Sequence, residues 1–244
     1  MPSICAKDLS VNLSGHRLIG TETILKKLSF EIHDGDRLAL IGPNGSGKST
    51  LLQTLAGILS PSSGCLTIEG EVNALFNIGL GTRRQSTGRR NMILRNLVQG
   101  RSYKAVMEKL PAMIEFADIG EYIDRPMEIY SQGMAMRTVF AAATAFDPDI
   151  LILDEWLGAG DASFREKSAK RMDDLVRKSG MLILATHHQR QSRELCNLGL
   201  YLNRGEVRFF GSVDEAWDRY MKDGLREEQW SKRDPQEEAA INVG

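Results

Sequence analysis

Long apolar runs are missing from this 244-residue chain. No stretch approaches the roughly 20 residues needed to span a bilayer, and the first residues lack the apolar run expected of a secretory leader. Cysteine is scarce. Cys5, Cys65 and Cys196 are scattered, odd in number and without metal-ligand spacing, which excludes a disulfide framework and indicates reduced thiols. Charge of either sign is nearly balanced, at a net −1 and an isoelectric point near 6.5, so there is no global basic field to favour nonspecific nucleic-acid binding. Internal repeats and low-complexity tracts are also absent. What is present is a 42% hydrophobic content, enough to bury a full core in one large domain or two smaller subdomains. If such a chain serves a membrane, it is expected to do so from the cytosolic side.

The strongest local signal is Gly42-Pro43-Asn44-Gly45-Ser46-Gly47-Lys48-Ser49, which meets every fixed position of the G-x-x-x-x-G-K-[ST] phosphate-binding loop. The apolar run Arg37 to Ile41 ahead of it reads as a buried strand, and Thr50 to Leu55 behind it reads as the start of a helix. Glycines let the backbone curl so that successive N–H groups and a helix N-terminus face nucleotide phosphates. Lys48 is expected to reach the β- and γ-phosphates and Ser49 to offer its hydroxyl to Mg²⁺, with Thr50 continuing the site. The plain alternative is a glycine-rich turn without a ligand.

Taken in order, Ser3 to Leu13 and Leu28 to His33 read as strands separated by a polar, glycine-containing connection. Cys65 to Val72 alternates and turns at Glu69-Gly70, which predicts a hairpin on the edge of that first sheet. From Thr87 to about Ala117 the period becomes helical, with apolar residues at Ile93, Leu94, Leu97 and Val98 and then at Val106, Leu110, Ile114 and Phe116. A helical insertion, placed at about 82–135, therefore divides a nucleotide-binding core. From about Asp223 the chain is charged and poor in core residues apart from Trp230, and is expected to be a mobile tail.

A second element, Asp149-Ile150-Leu151-Ile152-Leu153-Asp154-Glu155, has the form of a central buried strand that delivers two carboxylates to its C-terminal edge. Asp154 would hold Mg²⁺ through its water shell, and Glu155 would polarise the water that attacks the γ-phosphate. A strand followed by a solvated acidic turn is the alternative, and the phosphate loop upstream favours the functional reading. Between the two elements, Tyr130-Ser131-Gln132-Gly133-Met134 precedes an alanine-rich helix. Met181 to Ala185 is another buried strand, followed by Thr186, His187 and His188.

The serine and glycine opening a helix just before the acidic strand resemble the L-S-G-G-Q signature of ATP-binding cassette (ABC) ATPases. The order of motifs fits the same family over residues 3–222: phosphate loop, helical insertion, signature, acidic strand, Gly160-Asp161, then a histidine after a strand. The resemblance implies an α/β P-loop NTPase fold of the ABC type, with a mixed sheet core, an N-terminal antiparallel β subdomain and a helical subdomain insertion. It also implies a head-to-tail homodimer closing on two ATP molecules, with Ser131 and Gly133 facing the partner's phosphate loop. Asp161 would link the two sites, a role compatible with capping a helix from Ala162. His187 falls on the switch histidine that contacts the γ-phosphate. His188 stands where the family usually has aspartate.

Three departures accompany the resemblance. No aromatic stands in Val11-Asn12-Leu13 to stack on adenine, and Leu13 offers only apolar contact. Asn77, one methylene shorter, stands near the position of the glutamine that touches Mg²⁺. The signature has Gln132 for glycine and Met134 for glutamine. The segments Gly70 to Gly81 and Thr87 to Asn91, with the Tyr-Ser-x-Gly-Met signature and Gly160-Asp161-Ala162-Ser163-Phe164, resemble the ATPases of polysaccharide and polyol-phosphate exporters, in the short capsule or teichoic-acid form. This implies a separate membrane permease as partner, a place at the cytoplasmic face of the inner membrane, and no nucleic acid. A soluble ABC ATPase acting on nucleic acid or ribosomes is the alternative, opposed by the lack of a coiled-coil insertion or second cassette. Arg83, Arg84, Arg89 and Arg90 form a basic cluster that is either a solvated face or a contact for permease, anionic lipid or pyrophosphate-linked substrate.

Overall fold

The computed structural model describes residues 1–14, 21–76, 79, 81–155 and 162–231, without the side chains of 162, 163 and 225–231. The chain divides into two compact units, one of residues 3–68 with 183 onward, the other of residues 1–2 with 69–182.

The first unit begins with β1 (Ser3–Ser14) and β2 (Thr21–His33), antiparallel from Ser3 opposite His33 to Ser14 opposite Thr21. Alternation explains the pairing: Ile4, Ala6, Leu9 and Val11 on β1 and Leu25, Leu28, Phe30 and Ile32 on β2 are all buried, with bulges where the register shifts. The second strand starts at Thr21 rather than Leu28. Its first three residues, Thr21-Glu22-Thr23, are an exposed edge whose threonines suit a pleated surface although its polarity reads as loop. β4 (Ser63–Glu69) joins the other side of β1, giving the order β2-β1-β4.

In the same unit β3 (Arg37–Ile41) runs parallel to β8 (Leu198–Asn203), with Leu38 opposite Leu198 and Ile41 opposite Tyr201. β8 turns back antiparallel into β9 (Glu206–Ser212), so the sheet is mixed. α1 (Lys48–Leu55) opens two residues earlier than the sequence suggests. Residues 183–185, the latter part of β7 (Met181–Ala185), lead into α6 (Gln189–Leu195). α7 (Val213–Ser231) packs on β8 at Gly199, where a Cβ would stand 2.5 Å from that of Ala216. Helix α7 therefore carries the chain past Asp223; residues 232–244 lie outside the described residues.

In the second unit β5 (Val72–Leu75) runs parallel to β6 (Ile150–Asp154), pairing Val72 with Ile150 and Leu75 with Leu153. The hairpin expected at Glu69-Gly70 is therefore not formed. Gly70 does turn the chain, at φ 111°, but Glu71 is captured by the acidic strand: its N–H donates to Asp149 Oδ2 at 2.8 Å and its carbonyl accepts from the Ile150 N–H at 3.0 Å. The long helical pattern is broken at Gln99 to Ser102 into α2 (Gly88–Val98) and α3 (Tyr103–Ala117). Two 3-10 turns follow, Gly120–Asp124 and Met127–Ile129, then α4 (Gln132–Ala143) and α5 (Ala162–Lys178).

The buried face of α2 is not its apolar one. Val98 is 86% exposed, while Asn91, Met92 and Asn96 are buried. Asparagine is tolerated there because its hydrogen bonds are met: Asn96 Nδ2 donates to the carbonyls of Met92 (2.9 Å) and Ala142 (3.3 Å). Phe116, Phe140 and Phe164 form an aromatic cluster joining α3, α4 and α5, with centroids 5.5–6.1 Å apart. All three cysteines are free, and no described helix is long and apolar enough to cross a membrane.

Candidate functional site

In the first unit, strand β3 ends at Ile41 and the chain enters a loop whose glycines carry φ values that L side chains rarely adopt: 155° at Gly42, 77° at Gly45 and 106° at Gly47. Space reinforces conformation at two of them. A Cβ at Gly42 would collide with the Leu202 carbonyl oxygen, and one at Gly47 would lie 2.8 Å from Leu25 Cδ2; at Gly45 nothing lies within 4 Å. Gly47 is the N-cap of α1, and no side chain caps that helix. An N-terminus left without a side-chain acceptor is a place for anionic oxygen. Lys48 Nζ donates to the carbonyls of Gly42 (2.7 Å) and Pro43 (2.9 Å), which folds the ammonium back over the loop. Ser49 is exposed on the first turn, and the Thr50 carbonyl accepts from Thr54 Oγ1 at 2.8 Å. Ser46 is 2% exposed, and its Oγ has no hydrogen-bond partner among the described residues.

One residue that shapes this loop lies far from it in the sequence. Gly205 stands in the two-residue turn between β8 and β9, with positive φ at Arg204 (51°) and Gly205 (79°), the pattern of a type I′ hairpin. Its N–H donates to the Ser46 carbonyl at 2.9 Å, and its own carbonyl accepts from the Lys26 N–H at 2.8 Å. The loop is thus tied from behind to a hairpin and to β2. The Asn203-Arg204-Gly205-Glu206 stretch signals the hairpin, but nothing in it signals what the turn holds.

His187 is also in this unit, exposed beyond the end of β7, as is His188. The two differ in their backbone setting. His188 is the N-cap of α6 with its N–H on Thr186 Oγ1 at 3.0 Å, whereas His187 lies before the helix.

In the second unit, Ile150 to Leu153 are fully buried, Asp154 is half-buried and Glu155 is exposed. Glu155 has φ 63°. For a residue with a Cβ this left-handed backbone costs about 1–2 kcal/mol, strain of the kind that collects where a side chain must be aimed. Ser131 is the N-cap of α4, its Oγ accepting from the Met134 N–H at 3.2 Å, and Gly133 lies in the first helical turn.

The preceding Tyr130 stands in the signature stretch, and its hydrogen bonds give it a structural part that the stretch does not signal. Its hydroxyl donates to the Tyr122 carbonyl (2.6 Å) and accepts from the Gly88 N–H (3.2 Å), pinning the start of α4 to the start of α2. Burial raises its phenol pKa, so it stays a neutral donor. Asn77 and Asp161 lie outside the described residues. Of the basic cluster, Arg89 is paired with Asp124 through Nε (2.7 Å) and Nη2 (3.0 Å), while Arg83, Arg84 and Arg90 are exposed.

Among the described residues no three His, Cys, Asp or Glu gather to hold a metal. Each unit by itself offers a hard oxygen donor of the type Mg²⁺ takes, the Ser49 hydroxyl in the first and the Asp154 carboxylate in the second.

Residues 25–158 match the family model described as ABC transporter. The chain is 42% identical over 187 residues to the O-antigen export system ATP-binding protein RfbE of Yersinia enterocolitica, covering 77% of this chain and 78% of that protein. It is 39% identical over 82% of its length to RfbB of Myxococcus xanthus, an O-antigen export system ATP-binding protein, and 36% identical over 80% of its length to the teichoic acids export ATP-binding protein TagH of Listeria monocytogenes. It spans only 46% and 58% of those two proteins. Among solved structures, it resembles a dimeric ATP-binding cassette, MJ0796, bound to ADP and Pi, with TM-score 0.65, 19% identity and coverage of 86% of this chain and 98% of the other. It also resembles an ATP-binding subunit of an ABC transporter, with TM-score 0.67, 22% identity and coverage of 89% and 99%.

Proposed function

The chain belongs to the ABC transporter family, and from that premise we propose that it is the ATP-hydrolysing subunit of an exporter that moves a polysaccharide or related glycopolymer through a separate membrane permease. ATP binding belongs to the family. The observation that carries the finer reading is the 42% identity to an O-antigen export ATP-binding protein across 78% of that protein's length, in a chain whose phosphate loop is complete in both residues and backbone. The similar teichoic-acid export proteins support the same substrate class. With export subunits as relatives, the soluble reading directed at nucleic acid or ribosomes is not favoured.

The chemistry follows from the residues. The N–H groups of Gly45 to Thr50 and the Lys48 ammonium hold the β- and γ-phosphates, and Lys48 exchanges its two carbonyl acceptors for phosphate oxygens. Ser49, Asp154 and Asn77 are the residues that would hold Mg²⁺, which when bound offsets phosphate charge. Glu155, aimed by its strained backbone, takes the proton of the attacking water. His187 donates to the γ-phosphate as charge develops on it. Ser131 and Gly133, at the N-terminus of α4, serve the nucleotide of a second copy, and Asp161 joins the two sites. The dimeric form of the similar MJ0796 cassette supports this arrangement.

The permease is proposed to dock on the segment from Leu75 to Gly81, where Phe76 is half-buried; Ile78 and Leu80 lie outside the described residues. The test is to place single cysteines along residues 76–90, crosslink in membranes, and assay surface polymer in cells carrying Glu155→Gln. Crosslinks to a multi-helix membrane protein together with polymer retained inside the cell are expected. Crosslinks only to ribosomes or nucleic-acid complexes, with surface polymer unchanged, would overturn the proposal.

A further inference from the structure

Helix α7 and the first turn of α6, the helix that starts just after His187, are joined by a short, buried chain of hydrogen bonds. Trp217, 3% exposed on α7, donates from Nε1 to Ser192 Oγ at 2.6 Å. Ser192 is fully buried in the middle of α6. Its Oγ donates onward to the Gln189 carbonyl at 2.9 Å, and its backbone N–H donates to the His188 carbonyl at 3.1 Å. The chain therefore ends on the carbonyls of His188 and Gln189 at the first turn of α6, one and two residues after His187.

Three further contacts keep α7 from sliding. Arg193 on α6 reaches Asp214 (3.2 Å) and Asp218 (3.3 Å), one turn apart on α7. Tyr220 meets both Trp217 and Tyr201 of β8 edge-on, at 5.6 and 5.5 Å. Gly199 lets α7 sit directly on that strand. The far end of α6 is fixed as well: the Arg37 N–H at the start of β3 donates to Asn197 Oδ1 at 2.7 Å. A seven-residue helix is too short to hold its own position in water, so its packing partner decides where its first turn lies.

We propose that Trp217 and Ser192 are positioning residues for ATP hydrolysis, by which α7 sets the place of His187. This rests on the ATPase reading and on His187 as the group that meets the γ-phosphate. Hydrolysis depends on the geometry of that donor, whereas nucleotide binding depends on the phosphate loop. Disturbing the chain should therefore lower kcat and leave KM for ATP unchanged.

The experiment is steady-state ATP hydrolysis by the purified full-length protein, comparing wild type, Trp217→Phe, Ser192→Ala, His187→Ala and the double variant Trp217→Phe/His187→Ala. Trp217→Phe keeps an aromatic side chain but removes the donor, and is expected to reduce kcat about tenfold, less than the roughly hundredfold of a full 1 Å misplacement. In the His187→Ala background it should cause no further loss, because both act through one group. Since Trp217 is buried, Asp214→Asn/Asp218→Asn loosens the same contact from the exposed side and should give a smaller kcat loss that also vanishes without His187. Wild-type kcat in Trp217→Phe, or a loss that multiplies fully with that of His187→Ala, would overturn the proposal. Wild-type hydrolysis in His187→Ala would overturn it together with the role given to His187, while loss of hydrolysis in Glu155→Gln would leave the ATPase reading standing.

Discussion

Replacing Gly205 by alanine should weaken nucleotide binding from a position outside every nucleotide motif. Three terms set the size of the effect. At φ 79° a Cβ costs about 1–2 kcal/mol wherever it is placed. Here the new methyl would also collide with the Ile24 carbonyl oxygen, a backbone atom that cannot rotate away, so the turn must move. Movement stretches two hydrogen bonds, Gly205 N–H to the Ser46 carbonyl at 2.9 Å and Lys26 N–H to the Gly205 carbonyl at 2.8 Å, at about 1 kcal/mol each. The sum is about 3–4 kcal/mol, a large part of the stability of an ordinary domain. Gly57 supplies the control. Its φ is 72° but nothing lies within 4 Å of a Cβ there, so Gly57→Ala should cost only the conformational term, about 1–2 kcal/mol. Urea unfolding and ATP titration of both variants form the assay. Gly205→Ala should show the larger drop in midpoint and a lower ATP affinity, and Gly57→Ala a small drop with wild-type affinity. Equal midpoints for the two variants, or wild-type affinity in Gly205→Ala, would refute the idea that this hairpin holds the loop.

The two histidines separate by setting. His187→Ala should cost about a hundredfold or more in hydrolysis, as the loss of one transition-state donor does. His188→Ala should be mild because His188 is engaged through its backbone as a helix cap; equal losses or the reverse order would mean the roles are exchanged. The Cys196 thiol is pushed up to about 12 by burial, so it is neutral at pH 8, where iodoacetamide should label exposed Cys65 in the native protein and Cys196 only after unfolding. Because the folded thiol holds its proton more tightly than the unfolded one, its contribution to stability is complete below pH 9.0 and is lost as pH rises toward about 12. Urea midpoints measured across that range check the sign, and a midpoint that rises because of Cys196 would contradict it.

Much of this molecule was legible where the physics is local. An apolar run between polar turns gives β3 and β6, and glycine spacing gives a loop that only glycine can form, as the φ values of Gly42 and Gly47 bear out. Ser131 before an alanine-rich stretch gives a capped helix, observed as α4. Legibility failed where distant partners decide. Alternation at Cys65 to Val72 fits a hairpin and two strands of different sheets equally well, and the choice falls to Asp149, far along the chain. The polar start of β2 is a strand only because β1 is there to pair with it. Asn91 and Asn96 look like the solvent face of α2, yet are buried because carbonyls from its loop and from α4 meet them. Gly205 belongs to the same class: it holds the phosphate loop from a place that motif does not mention.

The central claim, that this chain is an ABC ATPase with Glu155 as the group that activates water, is tested most directly by measuring ATP hydrolysis and mass in solution on purified wild type and Glu155→Gln side by side. Glu155→Gln is expected to bind ATP as wild type does, lose most turnover, and become a dimer on ATP addition because binding contacts survive while the base is gone. Wild-type turnover in Glu155→Gln would contradict it.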